Sequence, residues 1–264
     1  MEQDPLRIGF IGYGAIGQEV ARLLGEHSVT DMHLIGALVL HPDNARPSGS
    51  PPIVATRSAL LAEHPHVVVE VAGHEGLYEH GPAILRAGVD LIMVSTGALA
   101  RPLVLEELLD AARASDAHIK VASGAIGALD ALAAASVGGL TSVLHTLRKP
   151  PAALLEPEDA AHLTAVHEVF RGSARQATQQ FPEFLNVAAA VALASRGFDQ
   201  TEVRVLADPA VNHSVHEIQA EGAFGKLRFE IENAPISQVG RGAQLVAMSI
   251  IHILQMRLAP LMIG

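Results

Sequence analysis

The sequence predicts an α/β protein with an N-terminal parallel sheet and a second, α+β domain. Through residue 123, short apolar segments alternate with amphipathic helical segments, which is typical of a parallel sheet with helices on both faces. A G-x-G-x-x-G motif at Gly12, Gly14 and Gly17 lies between the first apolar segment and the first helical one. This arrangement is typical of a Rossmann-type dinucleotide-binding domain.

The glycine motif predicts the cofactor-binding residues of the first domain. Gly12 permits a tight turn out of the strand, Gly14 lets a pyrophosphate approach the backbone, and Gly17 lets the helix pack against the strand. The start of the helix, which includes Ala15 and Ile16, offers free N–H groups and the positive end of the helix dipole to the phosphates. We therefore predict that these five residues bind NAD or NADP.

The first domain, predicted over residues 1–123, contains strands of branched apolar residues and helices with apolar positions at helical spacing. The predicted strands are Arg7–Ile11, Met32–Leu40, Val67–Val71, Leu91–Val94 and Ile119–Ala122. The predicted helices begin at about Ile16, with later ones over Ser58–Glu63, Gly76–Ala87 and Pro102–Ala114. Small and polar residues follow the strands, and ligands of such sheets bind beyond the carboxyl ends of the strands.

The second strand indicates which nicotinamide cofactor the chain accepts. In NAD-specific enzymes an acidic residue usually ends this strand and binds the ribose 2′-hydroxyl. Here the strand ends in Leu40, His41 and Pro42, and Asp43 comes late. We therefore predict tolerance of NADP, with Arg46 or His41 facing the 2′-phosphate; a solvated loop is the alternative interpretation of this segment.

The pattern changes in the second domain, predicted over residues 124–264. Strands are predicted over Ser142–Thr146, Arg204–Ala207, Val215–Ala220 and Lys226–Glu232, the last with strict alternation of apolar and charged residues. Helices are predicted over Asp130–Ala135, from Ser173 onward, over Asn186–Ser195, and over Arg241–Leu258. The segment Glu156–His162 is predicted as a mobile acidic loop. The final helix, about residues 241–258, is expected to pack back on the first domain.

Composition excludes several functions. The net charge of −10 argues against nucleic acid as a partner, and the absence of Cys excludes disulfides, thiolate metal sites and Cys nucleophiles. No His, Asp and Glu set stands at a recognised metal-ligand spacing, and no apolar run reaches the ~18 residues of a membrane helix. We therefore predict a soluble cytoplasmic protein with no metal, no nucleic-acid partner and no membrane association.

Motifs distributed along nearly the whole chain carry a family resemblance. They are GYGAIG at Gly12–Gly17, VEVAGH at Val69–His74, STGAL at Ser95–Leu99, SGAIGALDAL at Ser123–Leu132, RKPP at Arg148–Pro151, FRGSAR at Phe170–Arg175, FPEFLNVAAA at Phe181–Ala190, ADP at Ala207–Pro209, VHEI at Val215–Ile218 and EGAFG at Glu221–Gly225. The first motif is generic, whereas the later set in this order is specific. On these motifs the chain resembles the L-aspartate dehydrogenases.

The resemblance implies a reaction and several site residues. The family oxidises L-aspartate to iminoaspartate with NAD or NADP, after which water releases oxaloacetate and ammonia. On the matching positions, Ala125 and Asn186 contact the cofactor and His216 is the active-site histidine. The segment from Ser237 to Gly242 departs from the N-P-K-T-type segment that family members often carry there. A homo-oligomer, most simply a dimer, is the expected assembly.

His216 can be weighed on its chemistry as well. It alternates with Ile218 and Ala220 and therefore points inward, where a histidine is more often a core residue than a catalyst. Oxidation of an amine, however, requires a neutral amine, and hydrolysis of the imine requires deprotonation of water. Both steps need a base in the pKa range of histidine. His213, an odd number of residues away, is expected to face the opposite side.

The remaining candidates have structural alternatives. Arg148 and Lys149 follow a predicted strand and could bind a substrate carboxylate, or they could form a solvated pair. Asn186 could bind the nicotinamide end of the cofactor, or it could be the N-cap of a helix. Glu70 and His74, at the end of a buried strand, could line the cofactor site or cap the loop.

Two other functions remain open from the sequence. One is a related two-domain reductase that acts on homoserine or on a cyclic imine such as dihydrodipicolinate. The other is a nucleotide-sensing protein without catalytic activity. Convergence of His216 with a cation that could bind a carboxylate would argue against the second alternative.

Overall fold

The computed structural model describes residues 4–26, 31–43, 49–236 and 242–262. The described chain divides into two compact units. The first contains the residues up to Ala122 and those from Ile236 onward, and the second contains Ser123–Pro235. The division after Ala122 falls in a small-residue segment, and the return to the first unit falls just before the final helix.

The first unit is built on a six-stranded parallel sheet in the order β3-β2-β1-β4-β5-β6. Its strands are β1 (Leu6–Ile11), β2 (Met32–Leu38), β3 (Ile53–Val54), β4 (Val67–Glu70), β5 (Asp90–Met93) and β6 (Ile119–Val121). The order reverses between β1 and β4, and dinucleotides bind at such a point in doubly wound sheets. This arrangement confirms the predicted Rossmann-type sheet.

Four helices connect these strands: α1 (Ala15–Glu26), α2 (Arg57–Ala62), α3 (His74–Arg86) and α4 (Pro102–Ser115). In α1, Val20, Leu23 and Leu24 are buried at helical spacing. The side chains of Phe10 and Ile11, which point to opposite faces of β1, are 0% and 1% exposed. The central strand is therefore buried by helices on both of its faces, which explains why its sequence is apolar with no alternation.

The second unit contains a five-stranded mixed sheet in the order β11-β10-β7-β9-β8. Its strands are β7 (Leu140–Lys149), β8 (His167–Ser173), β9 (Glu202–Ala207), β10 (Val215–Gly222) and β11 (Gly225–Glu232). Its helices are α5 (Leu129–Val137), α6 (Pro157–His162), α7 (Ala174–Gln180) and α8 (Asn186–Leu193). All neighbouring strands are antiparallel except β7 and β9, which confirms the predicted α+β character.

The two faces of the second sheet differ in polarity. One face packs against α5 and α8 through a cluster of buried residues: Ile126, Leu132, Val143, Val187, Val191, Ile218 and Ala220. We call it the inner face. The opposite face carries ion pairs between strands, such as Arg204 with Glu168 at 2.6 Å and Arg228 with Glu217 at 2.7 Å. The alternation predicted in β11 follows from this division, because its apolar residues are half-buried and its charged residues are exposed.

Two local predictions for the second unit were wrong, and one strand was missed. The segment predicted as a mobile acidic loop contains α6, with Pro157 at its first position and Glu158 and Asp159 in its first turn. Proline fits the start of a helix and acidic residues favour the positive end of its dipole. β8, which ends at Ser173, was not predicted, whereas the helix predicted from Ser173 onward is confirmed, because Ser173 caps α7 through a capping box with Gln176. Finally, β7 extends to Lys149 and does not end at Thr146.

The final helix, α9 (Gln244–Met256), lies in the first unit and packs against α1. The predicted start at Arg241 lies outside the described residues. Val246, Ala247, Ile250 and Leu254 are among its buried residues. No helix in the described part of the chain is both long enough and apolar enough to cross a membrane.

Candidate active site

The glycine loop of the first unit has the geometry that the motif predicts. Gly12 has φ +85°, and a Cβ placed there would lie 2.7 Å from Cα of Ala72. Both the backbone conformation and the close packing therefore require glycine at this turn. A Cβ on Gly14 would meet no atom within 4 Å. Space is therefore open above Gly14, where a side chain would fill the volume that a pyrophosphate needs.

The N-terminus of α1 lies beside this open space, and its first amides make no hydrogen bond within the helix. The first bond within the helix runs from Gln18 N to Gly14 O at 2.9 Å, so the amides of Ala15, Ile16 and Gly17 precede it. Free amides and the helix dipole together favour a bound phosphate. The residues at this loop therefore fit the pyrophosphate of a dinucleotide.

Glu70 forms hydrogen bonds that hold the loop after β4, which packs against Gly12 through Ala72. Its Oε1 accepts the amides of Ala72 at 2.8 Å and Gly73 at 3.0 Å and the hydroxyl of Ser95 at 2.9 Å, while Oε2 accepts the amide of Ser95 at 3.1 Å. Burial raises the pKa of Glu70, and these bonds oppose that shift. The side chain therefore caps the ends of β4 and β5, which favours the capping interpretation over a direct role in binding.

In the second unit, strand register brings polar side chains together on the inner face. His216 in β10 lies opposite Leu147 in β7, and Ile218 lies opposite His145. Because side chains alternate along a strand, His145 and Lys149 share the inner face with His216. They occupy the end of the sheet where β7 finishes and β10 begins, beyond the apolar cluster.

Asn233 joins the same group. It follows β11, and its amide donates to Ser214 O at 2.9 Å, which continues the β10–β11 register and places its side chain on the inner face. Its Nδ2 donates to Ala125 O at 2.8 Å, and its Oδ1 is buried without a partner among the described residues. We call His145, Lys149, His216 and Asn233 the polar patch.

The two histidines of the patch form a buried pair. Nε2 of His145 lies 3.1 Å from Nδ1 of His216, and the rings stack with centroids 5.3 Å apart and planes 12° apart. His145 is fully buried, whereas His216 is 5% exposed. Burial lowers the pKa of His145 to about 4. The pKa of His216 lies well below 6.5, through burial first and then through His145 and Lys149. Both rings are therefore neutral near pH 7.

Arg148 and Lys149, the two predicted carboxylate-binding residues, lie in different environments. Arg148 lies on the opposite face of the sheet, where it contacts Glu230 at 2.8 Å and Asp208 at 3.6 Å. Lys149 is half-buried on the inner face, and its Nζ lies 4.6 Å from the ring centroid of Phe184. Within the part of the chain that the structure describes, Lys149 has no carboxylate partner, and burial lowers its pKa. Lys149 is thus available to an anionic ligand and Arg148 is not.

The structure also places the other sequence candidates. Ala125 and Val187, the neighbour of Asn186, pack in the same apolar cluster beside the patch. The N-cap of α8 is Leu185, and Asn186 is its first helical residue. His213 lies in an exposed bend before β10 and not on the strand, so the reason given for its facing away from His216 was wrong. No group of three His, Asp or Glu side chains suitable for a metal occurs among the described residues.

Sequence reasoning missed two members of the polar patch. His145 stands between Val143 and Leu147 in a strand whose presence was predicted but whose end was not, and only the pairing of β7 with β10 brings it to His216. Asn233 continues the alternation of Leu227, Phe229 and Ile231 by one more step, and that periodicity could have identified it. Lys149 was predicted from the sequence, together with Arg148, as a carboxylate-binding residue. Because β7 extends to Lys149, the two neighbouring side chains point to opposite faces of the sheet, and only Lys149 reaches the inner face.

Comparison with known protein families agrees with both units. Residues 12–122 match the family model described as homoserine dehydrogenase, NAD binding domain, and residues 130–257 match the model described as aspartate dehydrogenase, C-terminal. Because an NAD-binding model and an aspartate dehydrogenase model match the two units, the chain is a nicotinamide-dependent oxidoreductase.

Full-length relatives narrow this class to one family. The L-aspartate dehydrogenase of Ruegeria pomeroyi is 43% identical over 262 residues, covering 97% of this chain and 94% of the relative. That of Ralstonia pickettii is 40% identical, covering 94% of this chain and 96% of the relative. The chain belongs to the L-aspartate dehydrogenase family.

Solved structures show the same fold. The aspartate dehydrogenase of Thermotoga maritima has a TM-score of 0.80 and 27% identity, covering 98% of this chain and 99% of that chain. A dihydrodipicolinate reductase from Paenisporosarcina sp. TG-14 has a TM-score of 0.57 and 16% identity, covering 95% of this chain and 94% of that chain. The second similarity concerns the fold alone.

Proposed function

We propose that the protein oxidises L-aspartate to iminoaspartate with NAD or NADP, and that His216 is the base. One observation carries this proposal: a neutral, buried histidine and a lysine with no carboxylate partner among the described residues share one end of the inner face. A base and a cation that can bind a carboxylate are the two groups that oxidation of an acidic amino acid requires. Family membership supplies the substrate.

The residues of the chain divide the chemistry between them. Lys149 binds a substrate carboxylate, and neutral His216 takes a proton from the substrate ammonium so that its lone pair can form the C=N bond. A bound nicotinamide would supply the acceptor for the hydride that leaves Cα. His216 then passes its proton to solvent, takes a proton from the water that attacks the imine carbon, and returns this proton to the nitrogen, so that the C–N bond breaks and oxaloacetate and ammonia are released. The glycine loop, Ala125 and Asn186 hold the cofactor.

The experiment that tests this proposal compares substrates. Absorbance of the reduced cofactor is followed with L-aspartate, L-homoserine or dihydrodipicolinate in the appropriate direction, each with NAD and with NADP. We expect turnover with L-aspartate alone, with one ammonia released for each cofactor reduced. Turnover with homoserine or the cyclic imine would favour the related reductases, and cofactor binding without any turnover would favour a nucleotide sensor.

Substitutions of Lys149 and Arg148 should have different effects on kcat/KM for L-aspartate. We expect Lys149→Met to lower kcat/KM for L-aspartate roughly 10- to 100-fold, because loss of a charge-assisted hydrogen bond costs about 1.5–3 kcal/mol. Arg148→Met is the matched control, since it removes a cation one residue away on the opposite face and should change kcat/KM far less. If both variants fold and lose kcat/KM equally, the position of Lys149 on the inner face does not explain carboxylate binding, and the assignment of Lys149 is contradicted.

Both nicotinamide cofactors should support turnover. β2 ends at Leu38, and the first carboxylate after it is Asp43, so no acid stands at the strand end to repel a 2′-phosphate. We expect kcat/KM for NAD and NADP to differ by less than about 100-fold, or about 2.7 kcal/mol. Arg46 lies outside the described residues, and Arg46→Ala should lower NADP use more than NAD use. A larger preference for NAD in the unmodified protein would contradict the proposal.

We also propose that the enzyme is a homodimer that works in the cytoplasm, on the basis of its family membership. Sedimentation equilibrium should then give twice the 27.7 kDa mass of one chain. Fractionation of the source cells should recover the aspartate-dependent activity with the cytoplasmic proteins. A monomer mass at micromolar concentration, or activity in the membrane fraction, would contradict the respective proposal.

A further inference from the structure

The bond between the two buried histidines contains a single proton. In a neutral pair, one proton lies between Nε2 of His145 and Nδ1 of His216, which are 3.1 Å apart. The second proton occupies one of the outer nitrogens, Nδ1 of His145 or Nε2 of His216. Which ring donates in the shared bond therefore decides whether Nε2 of His216 has a lone pair.

The two arrangements have opposite consequences. If His145 donates, Nε2 of His216 carries a proton and cannot act as a base. If His216 donates, Nε2 of His216 is unprotonated and the other proton lies on Nδ1 of His145. That nitrogen is buried and has no partner among the described residues, so its N–H costs free energy.

Two features of the patch favour the second arrangement despite this cost. Lys149 lies on the other side of Leu147 from His145, and therefore on the side of His216 away from the shared bond, where a nearby cation favours a lone pair over an N–H. Only from the second arrangement can Nε2 of His216 take up a proton directly, and the Nδ1–H of the resulting cation then donates to Nε2 of His145 in a bond that is stronger than a neutral one. The fully buried His145 has no other polar contact within the described residues.

We propose that His145 is a positioning residue that accepts the Nδ1–H of His216 and thereby keeps Nε2 of His216 unprotonated and directed away from His145. This inference deepens the proposed function and rests on His216 being the base. His145 contacts neither substrate nor cofactor in this role. It fixes the tautomer and the orientation of the ring that does.

Long-range ¹H–¹⁵N NMR of histidine-labelled protein tests the tautomer without any measurement of activity. In the unmodified protein at pH 7.5, we expect the Nδ1 of His216 to show the shift of a protonated nitrogen and Nε2 that of an unprotonated one. The His216→Asn variant assigns the signals. The opposite pattern at His216 would overturn the inference, even if His216 proved to be the base.

Two substitutions of His145 test its effect on rate. Gln can place an amide oxygen near the position of Nε2, whereas Phe conserves ring volume and provides no acceptor. We expect His145→Phe to lower kcat for L-aspartate roughly 10- to 100-fold at an unchanged Kd for the cofactor, less than the loss of the base itself. His145→Gln should retain most of the rate and the Nδ1–H tautomer.

The outcomes separate the inference from the proposed function. Equal rates in His145→Phe and the unmodified protein would overturn the positioning role, and full activity in a His216 variant would overturn the base itself. If His145→Phe fails to fold, the NMR pattern of the unmodified protein and of His145→Gln decides alone. An Nε2–H tautomer of His216 in His145→Gln, with its rate retained, would also contradict the inference.

Discussion

Replacement of His216 by Ala is expected to lower turnover of L-aspartate ~10²–10⁴-fold, the usual cost of losing a positioned general base. The neutral ring is the only group of the polar patch that can accept a proton, since Lys149 is a cation and His145 is completely buried. Steady-state rates of cofactor reduction measure the loss. The Kd for NAD should stay near its original value, because the glycine loop is unchanged.

Two further variants control this experiment. His216→Asn retains an amide that can bond to His145, so a comparable loss in this variant shows that the missing base and not a packing defect is responsible. His213→Ala removes an exposed histidine before the same strand and should be nearly silent. Near-normal turnover in both His216 variants would refute the assignment and make His74 the next candidate.

The second large effect is expected at the glycine loop, where Gly14→Val should weaken binding of NAD about 100-fold or more, equivalent to about 2.7 kcal/mol. A Cβ at Gly14 meets nothing within 4 Å, so the variant should fold normally. The added side chain would instead occupy the volume that the pyrophosphate needs beside the amides of α1. Fluorescence titration with NADH measures the affinity.

Gly25→Val is the matched control for this prediction. Gly25 lies in the same helix, and a Cβ there also meets nothing within 4 Å. Its affinity for NADH should equal that of the unmodified protein. If Gly14→Val bound the cofactor as tightly as Gly25→Val does, the glycine loop would not be the pyrophosphate site.

The first unit was largely predictable from sequence because its elements depend on local patterns. Apolar strands such as Val67–Glu70, helices with one apolar face, and the spacing of three glycines each report on neighbouring residues in the chain. The family resemblance was likewise confirmed. The short β3, which has only two residues, contains too little sequence to produce a pattern.

The polar patch depends on pairing between distant strands, which no local pattern reveals. His145 and His216 are 71 residues apart, and only the β7–β10 register places them together. The same register separates Arg148 from Lys149, which sequence alone treats as equivalent cations. β8 was missed because its sequence, HEVFRGS, has no clean alternation, and its pairing with β9 contains a bulge.

The pH dependence of kcat/KM for L-aspartate tests most directly whether the buried His216 is the base. Its pKa lies well below 6.5, so the base is neutral at pH 7 and is lost only when the pH falls through that lower value. We expect kcat/KM to stay level from about pH 8 down to pH 6.5 and to decline below it. A decline centred at or above pH 6.5, or one that persists unchanged in His216→Asn, would contradict this assignment.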